Sequence, residues 1–163
     1  MKVDLYERMW MWAASVLIVA FAATIAYGAF ASSLHPPSHV ETIDPRKVWQ
    51  SPTFQPLGAV ELADGSIEVR VIAHMFAFQK PEIRVPAGRP VTFRITSVDV
   101  IHGFQIVGTN ANTMVIPGYV SEFTVVFDEP GEHLIVCNEY CGLSHHIMSA
   151  KLIVEASTPR EES

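Results

Sequence analysis

The chain has 163 residues, a net charge of −6 and a hydrophobic content of 49%, with a positive mean hydropathy of +0.25. That length allows one domain plus an appendage, the acidic balance argues against a nucleic-acid partner, and the hydropathy points to a membrane segment. Two cysteines, at positions 137 and 141, exclude a disulfide-rich scaffold and leave room for one disulfide or one metal site.

Residues 1–8 carry Lys2 and Arg8, and residues 9–34 carry no formal charge at all. As a helix, that run is about 39 Å long, more than the ~30 Å hydrocarbon core of a bilayer. Trp10, Trp12 and Tyr27 sit near its ends, as interfacial aromatic residues do. The run is too long for the apolar core of a signal peptide, roughly 7–15 residues, so it is read as a retained transmembrane helix. Residues 32–42 contain no Lys or Arg. The positive-inside bias then puts the N-terminus in the cytoplasm and the rest of the chain outside. On this reading Glu7 is a solvated charge flanking the helix.

Residues 35–64 form a linker, extended by Pro36, Pro37, Pro45, Pro52 and Pro56. A short helical turn is expected near residues 42–49, with Asp44 as its cap and Pro45 at its first position. From residue 65 to 155 the pattern is β. Residues 67–73 and 91–96 alternate apolar and polar side chains, and residues 82–86, 120–127, 132–137 and 150–155 read as further short strands. Regular short strands without a helical period predict an antiparallel sandwich or barrel. Residues 156–163 are a polar tail, expected to fray.

Between the last two strands lie Cys137, Cys141, His145 and Met148, within twelve residues. Thiolate, imidazole and thioether are the ligands that copper selects. One cysteine with histidines and a weak methionine would suit a single blue copper. A second thiolate can bridge two copper ions, each then needing an imidazole and a weak axial ligand. His102, after a strand and three residues beyond Asp99, is the candidate second imidazole, with Asp99 as a carboxylate to orient it. A Cys137–Cys141 disulfide, a zinc site of two Cys and two His, and a mononuclear copper stay open on the residues alone, although Met148 has no role at zinc. His146 reads as a surface loop residue, and His35, His39, His74 and His133 as structural or surface residues.

The loop Cys-Asn-Glu-Tyr-Cys-Gly-Leu-Ser-His-His-Ile-Met and the segment Asp-Val-Ile-His-Gly-Phe resemble the dinuclear copper (CuA) site of cytochrome c oxidase subunit II. The single predicted membrane helix and the short length make the chain most similar to the B-family haem–copper oxidases. The resemblance implies an all-β fold, a cupredoxin-like Greek-key β-barrel over residues 65–155, behind one N-terminal transmembrane helix. It implies Cys137 and Cys141 as bridging thiolates, His102 and His145 as terminal imidazoles, and Met148 and the main-chain carbonyl of Glu139 as axial ligands. In A-family oxidases a glutamate at that position also binds a magnesium or manganese ion through its side chain. The B-family relatives lack that ion. The segment around Tyr6-Glu7-Arg8 resembles the start of the B-family anchor, which makes Glu7 a candidate for the mouth of a proton channel.

The function so implied is electron transfer at a prokaryotic plasma membrane. Cytochrome c, or another small donor, reduces the dinuclear copper. The electron then passes to haem in subunit I, where oxygen is reduced to water with proton pumping. The alternatives are the CuA subunit of a nitric oxide reductase and a membrane-tethered copper carrier. Phe76, Phe78 and apolar residues near His145 are candidates for the donor's docking patch, with barrel core as the other reading of the two phenylalanines.

Overall fold

A computed structural model describes residues 4–31 and 41–156 of the chain. Two compact units result, Met1–His39 and Val40–Ser163. Lys2, His35, Pro36, Pro37, His39 and the tail from residue 157 lie outside the described residues.

The first unit is helix α1, Leu5–Ala31. It starts four residues before the charge-free run, because helix formation needs a cap rather than an absence of charge. Asp4 supplies that cap by accepting the Tyr6 N–H at 2.9 Å, and Glu7 lies in the first turn, where the helix dipole favours an anion. The hydroxyls of Ser15 and Thr24 bond back to the Met11 and Ala20 carbonyls, which leaves neither hydroxyl unpaired on this apolar surface. Residues Leu5–Gly28 have a mean hydropathy of 2.0, and this is one helix long and apolar enough to cross a membrane.

The second unit is a sandwich of two five-stranded sheets. Its strands are β1 (Gly58–Glu61), β2 (Ile67–His74), β3 (Ala77–Phe78), β4 (Glu82–Pro86), β5 (Pro90–Ser97), β6 (His102–Ile106), β7 (Asn112–Val115), β8 (Ser121–Val126), β9 (Gly131–Val136) and β10 (Ser149–Glu155). One sheet runs β1-β2-β5-β8 with β3 beside β2, and the other runs β4-β10-β9-β6-β7. The sheets are mixed rather than wholly antiparallel: β2 pairs in parallel with β5, and β10 with β4. Alternation along a strand fixes which face is buried but not the direction of the neighbour, so the parallel pairs were invisible in the sequence.

The alternating residues Ile67, Val69, Val71 and Ala73 of β2 lie with Val91, Phe93 and Ile95 of β5 in one apolar core. Its centre is aromatic, with Phe93 stacked on Phe123 at 5.2 Å and Phe104 edge-on to Phe78 at 5.3 Å. Ile72 points the opposite way from its neighbours and is buried all the same, beneath Val48, Phe54 and Val120. The segment from Glu41 to Leu57 therefore packs on the outer face of the sheet. It includes a helical turn at Val48–Gln50, close to the expected position. The side chain of Arg94 holds this segment by an ion pair to Glu41 and lies 5.6 Å from the Phe54 ring, while Arg70 donates to the Gln55 carbonyl at 2.6 Å.

Candidate metal centre

Strand β9 ends at Val136 and β10 begins at Ser149, so residues 137–148 close a β-hairpin. Cys137 N–H donates to the Met148 carbonyl at 3.1 Å, which ties the two ends of the loop together. A turn at His145–Ile147 then brings His145 back over the cysteines. From across the sheet, His102 enters at the first position of β6 and is fully buried.

The six residues expected from the sequence meet at one place. The Cys137 and Cys141 sulfurs are 3.8 Å apart. His102 Nδ1 lies 3.9 Å from the Cys137 sulfur, and His145 Nδ1 lies 3.6 Å from that of Cys141. Met148 Sδ is 3.7 Å from the Cys141 sulfur. The main-chain carbonyl of Glu139 is 3.2 Å from the Cys137 sulfur, whereas the residue as a whole is exposed. Two soft thiols at the centre, one imidazole at each end and a thioether and a carbonyl at the flanks form a donor set suited to copper. His102, Cys137 and Cys141 offer their ligand atoms within 4.8 Å of one another, all buried. The sulfurs are free rather than joined as a disulfide.

Asp99 orients the buried imidazole. Its Oδ1 accepts from His102 Nε2 at 2.9 Å, which leaves Nδ1 facing the thiols. The same carboxylate accepts the N–H groups of Met75 and Val100, each at 2.6 Å. Burial pushes the Asp99 carboxyl up, but these hydrogen bonds outweigh it and hold the carboxyl below its usual value. Through Met75, Asp99 also anchors the loop after β2. Phe76 in that loop packs against Gly142, where an added Cβ would meet the ring at 2.8 Å. Gly142 has φ +133°, so both its backbone and its neighbour require glycine. Nothing in the local sequence announces the Met75 and Phe76 contacts, because they depend on β2 and the loop meeting in space.

Of the candidate docking residues, Phe78 is core, 3% exposed, and Phe76 is half-buried against the core. The exposed apolar residues near His145 are Tyr140, Leu143 and Ile147, with Tyr140 5.8 Å from the His145 ring. His146 is exposed, His74 packs near Trp49, and His133 lies 3.2 Å from the Val107 carbonyl. Glu7 sits at the exposed start of α1, within the other unit.

Burial, together with the adjacent Cys137 thiol, pushes the Cys141 thiol up to about 11 in the metal-free chain. Metal binding must therefore displace a firmly held proton. Alkylation of Cys141 in the copper-free chain is expected to be slow at pH 7 and to rise steadily to about pH 11. Mass-spectrometric mapping of the labelled cysteine checks this. A profile half-maximal near the ordinary thiol value of about 8.5 would contradict it.

The family model for the cytochrome c oxidase subunit II periplasmic domain matches residues 64–157. A cytochrome c oxidase subunit 2 of Thermus thermophilus is 39% identical over 154 residues, covering 92% of each chain. A further T. thermophilus cytochrome c oxidase subunit 2 is 43% identical over 122 residues, covering 74% of this chain and 90% of the relative. Among solved structures, a chain of a haem–copper terminal oxidase dimer superposes with a TM-score of 0.71 at 35% identity, covering 92% of this chain and 99% of that one. With its cupredoxin-like sandwich, its membrane helix and its copper-type donor cluster, the chain belongs to the cytochrome c oxidase subunit II family, as the copper-binding subunit of a haem–copper terminal oxidase.

Proposed function

We propose that the donor set holds a dinuclear CuA centre and that the chain is the electron-accepting subunit of a B-family oxidase, partnered with subunit I. The observation that carries this reading is the pair of sulfurs 3.8 Å apart with one imidazole Nδ1 beside each. Cys137 and Cys141 would bridge, His102 and His145 would cap the two ends, and Met148 and the Glu139 carbonyl would be the weak axial donors. When bound, the copper pair supplies one-electron redox chemistry. The B-family assignment is supported by the likeness to Thermus subunits over nearly the whole chain and by the single spanning helix among the described residues.

The chain's own residues account for what fast electron transfer needs. Both thiols and Met148 are buried, and five strands in each sheet fix the one loop and the strand end that bear the donors. That rigidity limits rearrangement between redox states. His145 lies towards the surface and His102 is buried at the other end of the cluster, which gives the centre an outer and an inner edge. Tyr140, Leu143 and Ile147 surround the outer edge with apolar surface that excludes water when a donor docks.

The donor is a small redox protein such as cytochrome c. The copper domain lies on the outer side of the membrane, in keeping with Lys2 and Arg8 ahead of the charge-free run. Leu143→Ser is expected to slow reduction by cytochrome c about five- to tenfold, the equivalent of ~1 kcal/mol at an interface. Stopped-flow reduction at limiting donor checks this, with the copper spectrum unchanged. An unaltered rate would place docking elsewhere. The acidic chain also favours a basic donor by steering, so the rate should fall as salt rises.

Glu7 is assigned to the mouth of a proton path into subunit I. In the assembled oxidase, Glu7→Gln is expected to slow turnover while copper content stays at the parent level. Unchanged turnover and proton uptake would remove Glu7 from the mechanism.

The central test is metal analysis with electron spin resonance on the purified full-length chain loaded with copper. Two coppers per chain sharing one unpaired electron support the reading. A mononuclear signal, a labile cuprous ion without a signal, or zinc alone would refute it, and a labile cuprous ion would favour the copper-carrier alternative. The haem content of the purified complex and its turnover with oxygen separate an oxygen reductase from a nitric oxide reductase.

A further inference from the structure

The strand that carries His102 and the strand that leads into Cys137 stop pairing short of the donors they bear. Strands β6 and β9 are in register at Gln105↔Val136 and Ile106↔Ile135, and the Val107 N–H donates to the Leu134 carbonyl beyond them, but no rung lies on the His102 side of Gln105. The ladder stops there, although the imidazole and the thiol that must face each other lie beyond it, on opposite strands. Continuing the same register by two residues sets Asn138 against Gly103, the residue after His102.

At that point the side chain of Asn138 occupies the place a β-carbon would take. An added Cβ on Gly103 would come within 1.9 Å of Asn138 Oδ1 and 2.9 Å of the Asn138 backbone nitrogen. Asn138 Nδ2 donates to Asn112 Oδ1 at 3.1 Å. Asn112 is the first residue of β7 and pairs with Gln105 of β6. One amide thus spans from the copper loop, across the strand bearing His102, to the next strand.

We infer that Asn138 is a positioning residue: its amide, seated over Gly103 and bonded to Asn112, sets the separation between Cys137 and His102. It replaces the missing rungs of the β6–β9 ladder with a single side chain. Cys137 and Glu139, both expected donors, are its neighbours in the chain, so movement of Asn138 carries both with it. Asn138 and Asn112 are themselves exposed, so a bond between them adds little to the stability of the fold. Its effect falls on donor geometry. The inference rests on the copper-site reading, and the experiment separates the two.

The experiment compares the full-length chain with Asn112→Leu, Asn112→Asp and Asn138→Ala, each loaded with copper. Release of copper to a chelator, the electron spin resonance pattern and the thermal midpoint of the copper-free form are measured. Asn112→Leu and Asn138→Ala are expected to release copper at least about tenfold faster, the usual size of an effect from a residue that orients metal ligands. Their resonance pattern should change, and their copper-free midpoints should stay near the parent's. Asn112→Asp keeps an acceptor for Asn138 Nδ2 and should restore parent-like release. Parent-like release from Asn112→Leu, or equal loss from Asn112→Asp, would overturn the role given to the hydrogen bond. A parent chain that binds no copper would instead overturn the reading of the site.

Discussion

A Cys141→Ser chain is expected to hold at most one copper ion and to lose electron transfer to haem almost entirely. The Cys141 sulfur is the hub of the cluster, within 3.6 to 3.8 Å of His145 Nδ1, Met148 Sδ and the Cys137 sulfur. Serine offers a hard, protonated oxygen in place of a soft thiolate, at a residue only 5% exposed. His145 and Met148 then lose the atom that links them to the rest of the set. Metal analysis of the purified oxidase and its steady-state oxygen consumption check the two halves of this expectation. A variant that retained two coppers per chain would exclude bridging by Cys141.

The largest expected effect on the fold itself comes from Phe104→Ala. Phe104 is completely buried and touches three rings, Phe78 at 5.3 Å, Phe93 at 5.9 Å and Phe123 at 6.2 Å. Loss of that ring leaves a cavity between the sheets, at a cost of about 3–5 kcal/mol. Phe104→Leu keeps most of the volume and should cost less than ~1.5 kcal/mol. Denaturant titration of the copper-free chain gives both values. Phe104 is also two residues from His102 on β6, so the alanine variant should bind copper more weakly than its stability alone explains. If its copper affinity falls only in line with the fraction folded, β6 holds His102 in place without Phe104.

The copper loop was legible because its chemistry is concentrated. Two thiols, an imidazole and a thioether inside one hairpin leave few other uses, and the second imidazole could be sought wherever a strand met an acidic neighbour. The spans of β2 and β5 were equally plain from their alternating residues. Helix α1 was legible as an apolar run, although its true start depends on Asp4 rather than on the charge of Glu7 and Arg8. What escaped notice depends on partners distant in sequence. Strand β1 lies in a stretch read as linker and owes its existence to pairing with β2. The burial of Ile72 depends on the segment that covers it. Gly103 reads as an ordinary strand glycine until Asn138 is seen lying across it.

Strand β10 is the last of the described strands, yet it sits inside its sheet, between β4 and β9. Its register joins Lys151 to Glu82, far back in the sequence, and closes the hairpin that carries the copper loop. Topology of this kind makes folding slow and late, because the long-range pairings form only once both partners are present. With the proposed orientation, the earlier strands must wait during synthesis and export with an open seam until residues 149–155 have cleared the membrane. The donor atoms are then brought together by the same event that seals the sandwich. Copper loading would thereby follow translocation, and a chain cut short before β10 would be left with both an exposed sheet edge and no assembled centre.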